Sequence, residues 1–483
     1  MGARRPVTAA VVMAVATLAA CTSLGSVEPH PAPPPTRPAV ATPDDTAADA
    51  TVPVTTAPGS PEVFEPDPRR PPQPYDEALS AALLDIEAFW RTTFPKLYGT
   101  DFPELQGGIW PVFRGRRGVP GCGEPTTRYA DIEGNAFYCP DGDFLAFDDT
   151  QLFPTIYGQY GAAVLGMIVA HELGHAVQAR AGVMDQPTIV LEQQADCFAG
   201  AWMAHMAVAG GPFTVNDDTL KLAFSGMITF RDTPGVTAQT EGAHGSGFDR
   251  VGAFQDGFTN SASQCATYVA NPPPVIEFGF STQQEVDTGG NLSLQDIVPA
   301  TMQDLDTFWK STFSSLGHSY RTLAGGLQPY PATGPYPPCP SLHPDATFAE
   351  GRVWYCPDGD FIAYDEDAVA GPVYDVGDFA VSVLLANAWS DAMMTRLGIN
   401  LTGKDRSLDG DCLTGVWTRS TLPRQRENSD RLRLSPGDLD EGVIAFLRFG
   451  AASSGTDQSG TVFERIESFR RGTLQGGDGC GLK

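Results

Sequence analysis

The sequence predicts an α+β protein built as a tandem duplication, and three observations carry that expectation. First, segments recur in order along the chain. NAFYCPDGDFLAFDD (135–149) returns as RVWYCPDGDFIAYDE (352–366), ADCFAGAW (195–202) as GDCLTGVW (410–417), and DRVGAFQDG (249–257) as ERIESFRRG (464–472). Such self-similarity marks a repeated unit, here of about 200 residues. Second, stretches with helical apolar spacing alternate with short strand-like runs such as FLAFDD and FIAYDE. Third, eight of the nine cysteines divide evenly between the two copies.

At 483 residues the chain exceeds one ordinary core. Lys and Arg total 31 against 58 Asp and Glu, a formal charge of −27. That charge repels nucleic acid and anionic lipid surfaces, so no nucleic-acid partner is expected.

Residues 1–21 read as a targeting segment. Arg4 and Arg5 precede an apolar stretch from Val7 to Ala20 that is too short to span a bilayer. Leu18-Ala19-Ala20-Cys21 resembles a bacterial lipobox. The resemblance implies lipidation of Cys21 (palmitate among the acyl chains) and an extracytoplasmic body anchored to the cell membrane. Residues 22–75 are rich in Pro, Thr, Ala and Asp, with too few large apolar side chains for a core. They read as a disordered or extended tether.

The first unit is expected over 76–272. Leu79, Leu83, Ile86, Phe89 and Trp90 recur at helical spacing, and Asp85, Trp90 and Phe94 return as Asp304, Trp309 and Phe313. In an oxidising compartment eight cysteines favour disulfides. Each unit allows three pairings. The expected ones are Cys122 with Cys139 and Cys197 with Cys265, then Cys339 with Cys356 and Cys412 with Cys480. The separations are 17 and 68 in both units.

Residues 159–182 read as one apolar helix with Gly182 as its C-cap. His171 and His175 lie one turn apart on it, with Glu172 beside the first. The H-E-x-x-H spacing of AHELGHAVQ gives two imidazoles to one zinc and a carboxylate to handle a water's proton. A second apolar helix carries Glu192 and Asp196 on one face. Two stacked carboxylates are explained if Glu192 ligates the metal and Asp196 accepts a hydrogen bond from the far nitrogen of a ligand histidine. The prolines of NPPPV (271–275) stop the chain's helical run, and the second unit is expected over 273–483.

HELGHAVQ, then E-x-x-A-D-C-F-A-G-x-W, then HGS…DRVGAF, resembles the bacterial putative neutral zinc metallopeptidase family, with a gluzincin-like site; the lipobox makes it similar to actinobacterial lipoprotein peptidases. The resemblance covers about 75–270. It implies a zincin-like unit, zinc as cofactor, His171, His175 and Glu192 as ligands, Glu172 as catalytic base, and a peptide or protein substrate.

In the second unit the same positions hold Asn387, Ala388, Asp391 and Ser407, so that copy is expected to be a degenerate pseudoenzyme domain. Asp196 and Arg250 persist as Asp411 and Arg465 and therefore read as partly structural. His244 is replaced by Ser459, having disappeared with the site, and becomes the candidate donor to an oxyanion. His205, His318 and His343 read as structural or surface residues, and His30 as part of the tether. The expected function is membrane-anchored, zinc-dependent hydrolysis of peptide bonds. The alternative is a surface-tethered binding or scaffold lipoprotein with little or no catalysis.

Overall fold

Apolar residues at helical spacing between Asp76 and Tyr98 form helix α1, and its buried face includes Leu79, Leu83, Ile86, Phe89, Trp90 and Phe94. The computed structural model describes residues 63–482 except 238–239, 241–242, 342–352, 427–430 and 450–459. The targeting segment with Cys21, residues 22–62 of the expected tether, His343 and Ser459 lie outside the described residues.

Strand β1 (Ile109–Val112), the one-turn helix α2 (Tyr129–Ile132), β2 (Ala136–Cys139) and β3 (Phe144–Asp148) follow α1. The sheet has the order β1-β3-β2, with β1 parallel and β2 antiparallel to β3. The apolar run Phe144–Phe147 is buried throughout, as a central strand covered on both faces requires. Helices α3 (Leu152–Tyr160), α4 (Ala162–Ala181), α5 (Thr188–Ala209), α6 (Asp217–Thr229) and α7 (Gly247–Ala266) come next. α4 and α5 are apolar nearly all round and are buried nearly all round.

The remainder runs α8 (Gln283–Thr288), α9 (Leu294–Ser315), β4 (Gly326–Tyr330), β5 (Val353–Cys356), β6 (Phe361–Asp365), α10 (Glu366–Ala368), α11 (Asp378–Leu397), α12 (Gly403–Thr421), α13 (Asp438–Phe449) and α14 (Val462–Gln475). The second sheet has the order β4-β6-β5, with β4 parallel and β5 antiparallel to β6. Helices and small sheets together make an α+β fold, as the periodicities predict. The four disulfides pair as expected, and Cys197–Cys265 ties α5 to α7.

Two local expectations are corrected. The helix read from 159 is interrupted at Gly161, whose φ of 78° and ψ of −179° no helix can contain, so the motif helix starts at Ala162. It ends as expected, with Gly182 left-handed at φ 71°. Residues 63–75, read as tether, pack on the body. Tyr75 is fully buried, and Arg70 bridges Asp76 and Asp149 at 2.6 and 2.8 Å. Few apolar residues hold this stretch; charged pairs and Phe64 against Phe147 do so instead.

Buried residues from Tyr75 to Phe469 form one continuous apolar cluster. Phe224 and Phe258 meet Phe463, with ring centroids 5.7 and 5.1 Å apart. Gln255 Nε2 donates to Phe463 O at 2.8 Å. No described helix is long and apolar enough to cross a membrane.

Candidate metal centre

α4 presents His171 and His175 one turn apart, and α5 packs on α4 and brings Glu192 opposite them. Ligand-capable atoms of the three residues lie within 4.8 Å of one another. His171 Nε2 is 3.3 Å from Glu192 Oε2, and His175 Nε2 is 3.5 Å from Glu192 Oε1.

The far nitrogen of each ring is engaged. His171 Nδ1 lies 2.8 Å from Asp196 Oδ1, and His175 Nδ1 lies 2.9 Å from Gln178 Oε1. Gln178 Nε2 donates to Leu191 O at 2.7 Å, which fixes the amide with its oxygen towards His175. Both Nδ1 atoms therefore face acceptors and carry the hydrogen, so in the neutral rings the Nε2 lone pairs point at Glu192. Glu192 Oε2 is buried without a hydrogen-bond partner, although His171 Nε2 is close. Two imidazole nitrogens and an orphaned carboxylate oxygen facing one gap are a donor set that fits zinc.

The field in this gap favours positive charge. Burial works against a charged His171, but Asp196 and Glu192 outweigh it and hold its pKa at about 10. Burial likewise disfavours an ionised Glu192, but His175 and His171 hold its carboxyl well below the usual range.

Asp196 has two tasks. Besides His171 it receives Arg250, with Nε to Oδ2 and Nη2 to Oδ1 both at 2.9 Å, while Arg250 Nη1 reaches Phe230 O at 3.0 Å. The pattern returns without histidine: Arg465 reaches both Asp411 oxygens at 2.7 Å, and Asn387 Nδ2 donates to Asp411 Oδ1 at 2.9 Å. Asp411 and Arg465 thus form the same buried pair as Asp196 and Arg250. Asp391, the expected counterpart of His175, is paired with Arg406 at 2.6 Å.

Glu172 is buried beside His171, and its Oε2 accepts the Tyr138 N–H of β2 at 3.0 Å. Burial pushes its carboxyl above the ordinary value. His244 has a 45 % exposed side chain with Nδ1 3.8 Å from Asp232 Oδ1. Asp232 raises the His244 pKa against the effect of burial, and Glu192 adds to the rise. His205 packs on Phe89 and His318 on Phe313, away from the centre. Sequence reasoning left Gln178 and Asp232 unassigned. Gln178 could have been found from its place three residues after His175, on the same helical face.

Two histidines on one helix and a glutamate from the next define a candidate three-ligand centre of the H-E-x-x-H class. Residues 116–268, which contain all three, match the sequence model of the family described as putative neutral zinc metallopeptidase. The chain is similar to an uncharacterized protein of Mycobacterium tuberculosis, 29% identical over 213 residues, covering 38% of this chain and 68% of the relative. It is also similar to the uncharacterized protein YpfJ of Escherichia coli K12, 28% identical over 223 residues, covering 40% of this chain and 72% of the relative. No solved structure matches the chain significantly.

Proposed function

We propose that this chain is a zinc-dependent peptide-bond hydrolase. The observation that carries the reading is the convergence of His171, His175 and Glu192 with both Nδ1 atoms already hydrogen-bonded elsewhere. Those three residues would hold the ion. Zinc, when bound, supplies Lewis acidity that lowers the pKa of water and polarises a carbonyl. Glu172 accepts the attacking water's proton at Oε1, the oxygen that Tyr138 leaves free, and returns it to the amine nitrogen as the C–N bond breaks. Its raised pKa suits that exchange. His244, held by Asp232, donates to the developing oxyanion.

The second half is read as a degenerate copy. Support comes from the matching strand order of the two sheets, the equal disulfide separations and the shared Asp–Arg pair. The domain boundaries 76–272 and 273–483, and the N-terminal lipid anchor that places the body outside the cytoplasmic membrane, belong to the same proposal. Palmitate labelling that survives Cys21→Ser would remove the anchor.

Glu172→Gln tests the function. Hydrolysis of a generic protein substrate should fall by about 100-fold or more while zinc content stays at the wild-type level. Undiminished hydrolysis would remove Glu172 as base. Wild-type protein that binds zinc yet hydrolyses nothing would favour the binding or scaffold reading.

A further inference from the structure

The half that lacks the metal-binding set touches the other half where the site is held in place. Asp440, in the first turn of α13, is buried between them. Its Oδ1 accepts the N–H of Phe248, the second residue of α7, at 2.8 Å. Its Oδ2 lies 2.8 Å from Arg231 Nε, an ion-pair contact in which the N–H points off the line to the oxygen. Arg231 Nη1 in turn donates to Ile228 O at the end of α6.

Both partners of Asp440 adjoin residues that hold the site. Two residues beyond Phe248 is Arg250, whose guanidinium grips Asp196, which in turn engages His171 Nδ1. Immediately after Arg231 is Asp232, which accepts Gly245 N at 2.7 Å and faces His244.

The amino ends of α7 and α14 are closed in different ways. The first N–H groups of a helix have no partner within it, and a negative charge there is favoured by the helix dipole. α14 closes its own end with a reciprocal capping box between Thr461 and Glu464. α7 has Ser246, which takes the Asp249 N–H, and its Phe248 N–H goes to Asp440.

We propose that Asp440 is a positioning residue for the metal centre. It fixes the start of α7 and the Arg231 side chain, and through them the Arg250–Asp196–His171 chain and the Asp232–His244 pair. The second half thus completes the support of a site it does not itself carry. Its metal readout rests on the zinc-ligand assignment above; a second readout does not.

The test uses the full chain with Asp440→Ala, Asp440→Asn and, as an interface control, Phe463→Leu. Phe463 packs its ring on Phe224 and Phe258 across the same interface, and its hydrogen bond from Gln255 goes to the backbone oxygen, which the substitution keeps. Two quantities are measured. One is the Zn2+ dissociation constant, by competition with a chromophoric chelator. The other, in metal-free protein, is the solvent-exchange rate of the His171 Nδ1–H by NMR. Asp440→Ala should weaken zinc binding about tenfold and speed the exchange. Asp440→Asn, which keeps an acceptor for Phe248 N–H, should fall between. Phe463→Leu should lower the thermal midpoint and leave both site readouts at wild type.

Unchanged zinc affinity and exchange in Asp440→Ala would overturn the proposal, as would Phe463→Leu moving both as far. If Asp440→Ala does not fold, Asp440→Asn decides by the same two readouts. Wild-type protein without zinc affinity would sink the ligand assignment, and the exchange rate would still decide the role of Asp440.

Discussion

Replacing Asp196 by asparagine separates two tasks that one carboxylate performs, and the chain supplies its own control in Asp411. Asp196 is 2 % exposed and Arg250 8 %, with both contacts between them at 2.9 Å. In Asp196→Asn the amide oxygen can still accept from His171 Nδ1, but the amide N–H₂ then faces the Arg250 Nε–H, donor against donor. Removing one partner of a buried pair costs about 3–5 kcal/mol. Asp411→Asn exposes Arg465, 2 % exposed, to the same loss, so both variants should lose stability on that scale in guanidinium unfolding. Zinc affinity, measured by chelator competition, should separate them. Asp196→Asn should bind zinc about 10- to 100-fold more weakly, because the donor–donor clash with Arg250 turns the amide away from His171 and a neutral acceptor holds the ring less firmly, while Asp411→Asn should bind as wild type. The pH dependence has a sign as well. Burial opposes ionised Asp196, but Arg250 and His171 hold its pKa below the ordinary value. Its contribution is therefore present at neutral pH and is lost as pH falls through the folded value. Zinc affinity within threefold of wild type in Asp196→Asn would refute the orienting role. Stability losses under about 1 kcal/mol in both variants would refute the buried pairs as ties between helices.

Gln178→Leu removes the acceptor for His175 Nδ1 and the donor to Leu191 O, and zinc affinity should fall about tenfold; an unchanged dissociation constant would show that His175 needs no such support. Asp378, Asp438 and Glu441 bring buried carboxylate oxygens within 4.8 Å of one another at the amino ends of α11 and α13. Burial pushes Asp378 up to about 6, and burial with Asp378 pushes Glu441 up to about 8. The folded chain thus keeps protons that the unfolded chain releases near the ordinary Glu value. Stability should fall as pH rises from there to about 8, by about 1.4 kcal/mol for every tenfold difference in proton affinity between the folded and unfolded chain. Glu441→Gln keeps an acceptor for Phe379 N–H and should flatten that slope and raise the midpoint at pH 8, whereas a slope identical to wild type would exclude Glu441 as its source.

What the sequence made legible is what local spacing encodes. The buried face of α1, the left-handed Gly182 and the apolar run of β3 follow from periodicity or position within a few residues, and the disulfide partners, 17 and 68 residues apart, were read from cysteine spacings that recur along the chain. His171, His175 and Glu192 could be named because their side chains are costly on apolar helices unless something binds them. The polar side-chain pairings across long separations were not legible. Asp196 and Arg250 were each read as partly structural from their persistence, yet their contact is 54 residues apart and needs α5 packed on α7 to exist. The same separation joins Asp411 to Arg465, so the recurrence of an Asp and an Arg at equal spacing was a readable sign of a pair. Gly161 looked like one more small residue of an apolar helix, and its extended ψ comes from the path between α3 and α4. Asp440 offered no signal, since its partners belong to the other half.

The Phe248–Asp440 hydrogen bond joins residues 192 positions apart, and the order in which a polypeptide is made gives that distance a duration. At about 5–20 residues per second, roughly 10–40 s separate synthesis of the first partner from the second. Every residue of the metal-binding set has been made before that interval begins. On the proposed role of Asp440, a half-made chain would hold the candidate ligands without the support that aims His171, and full metal affinity would be a property of the finished molecule.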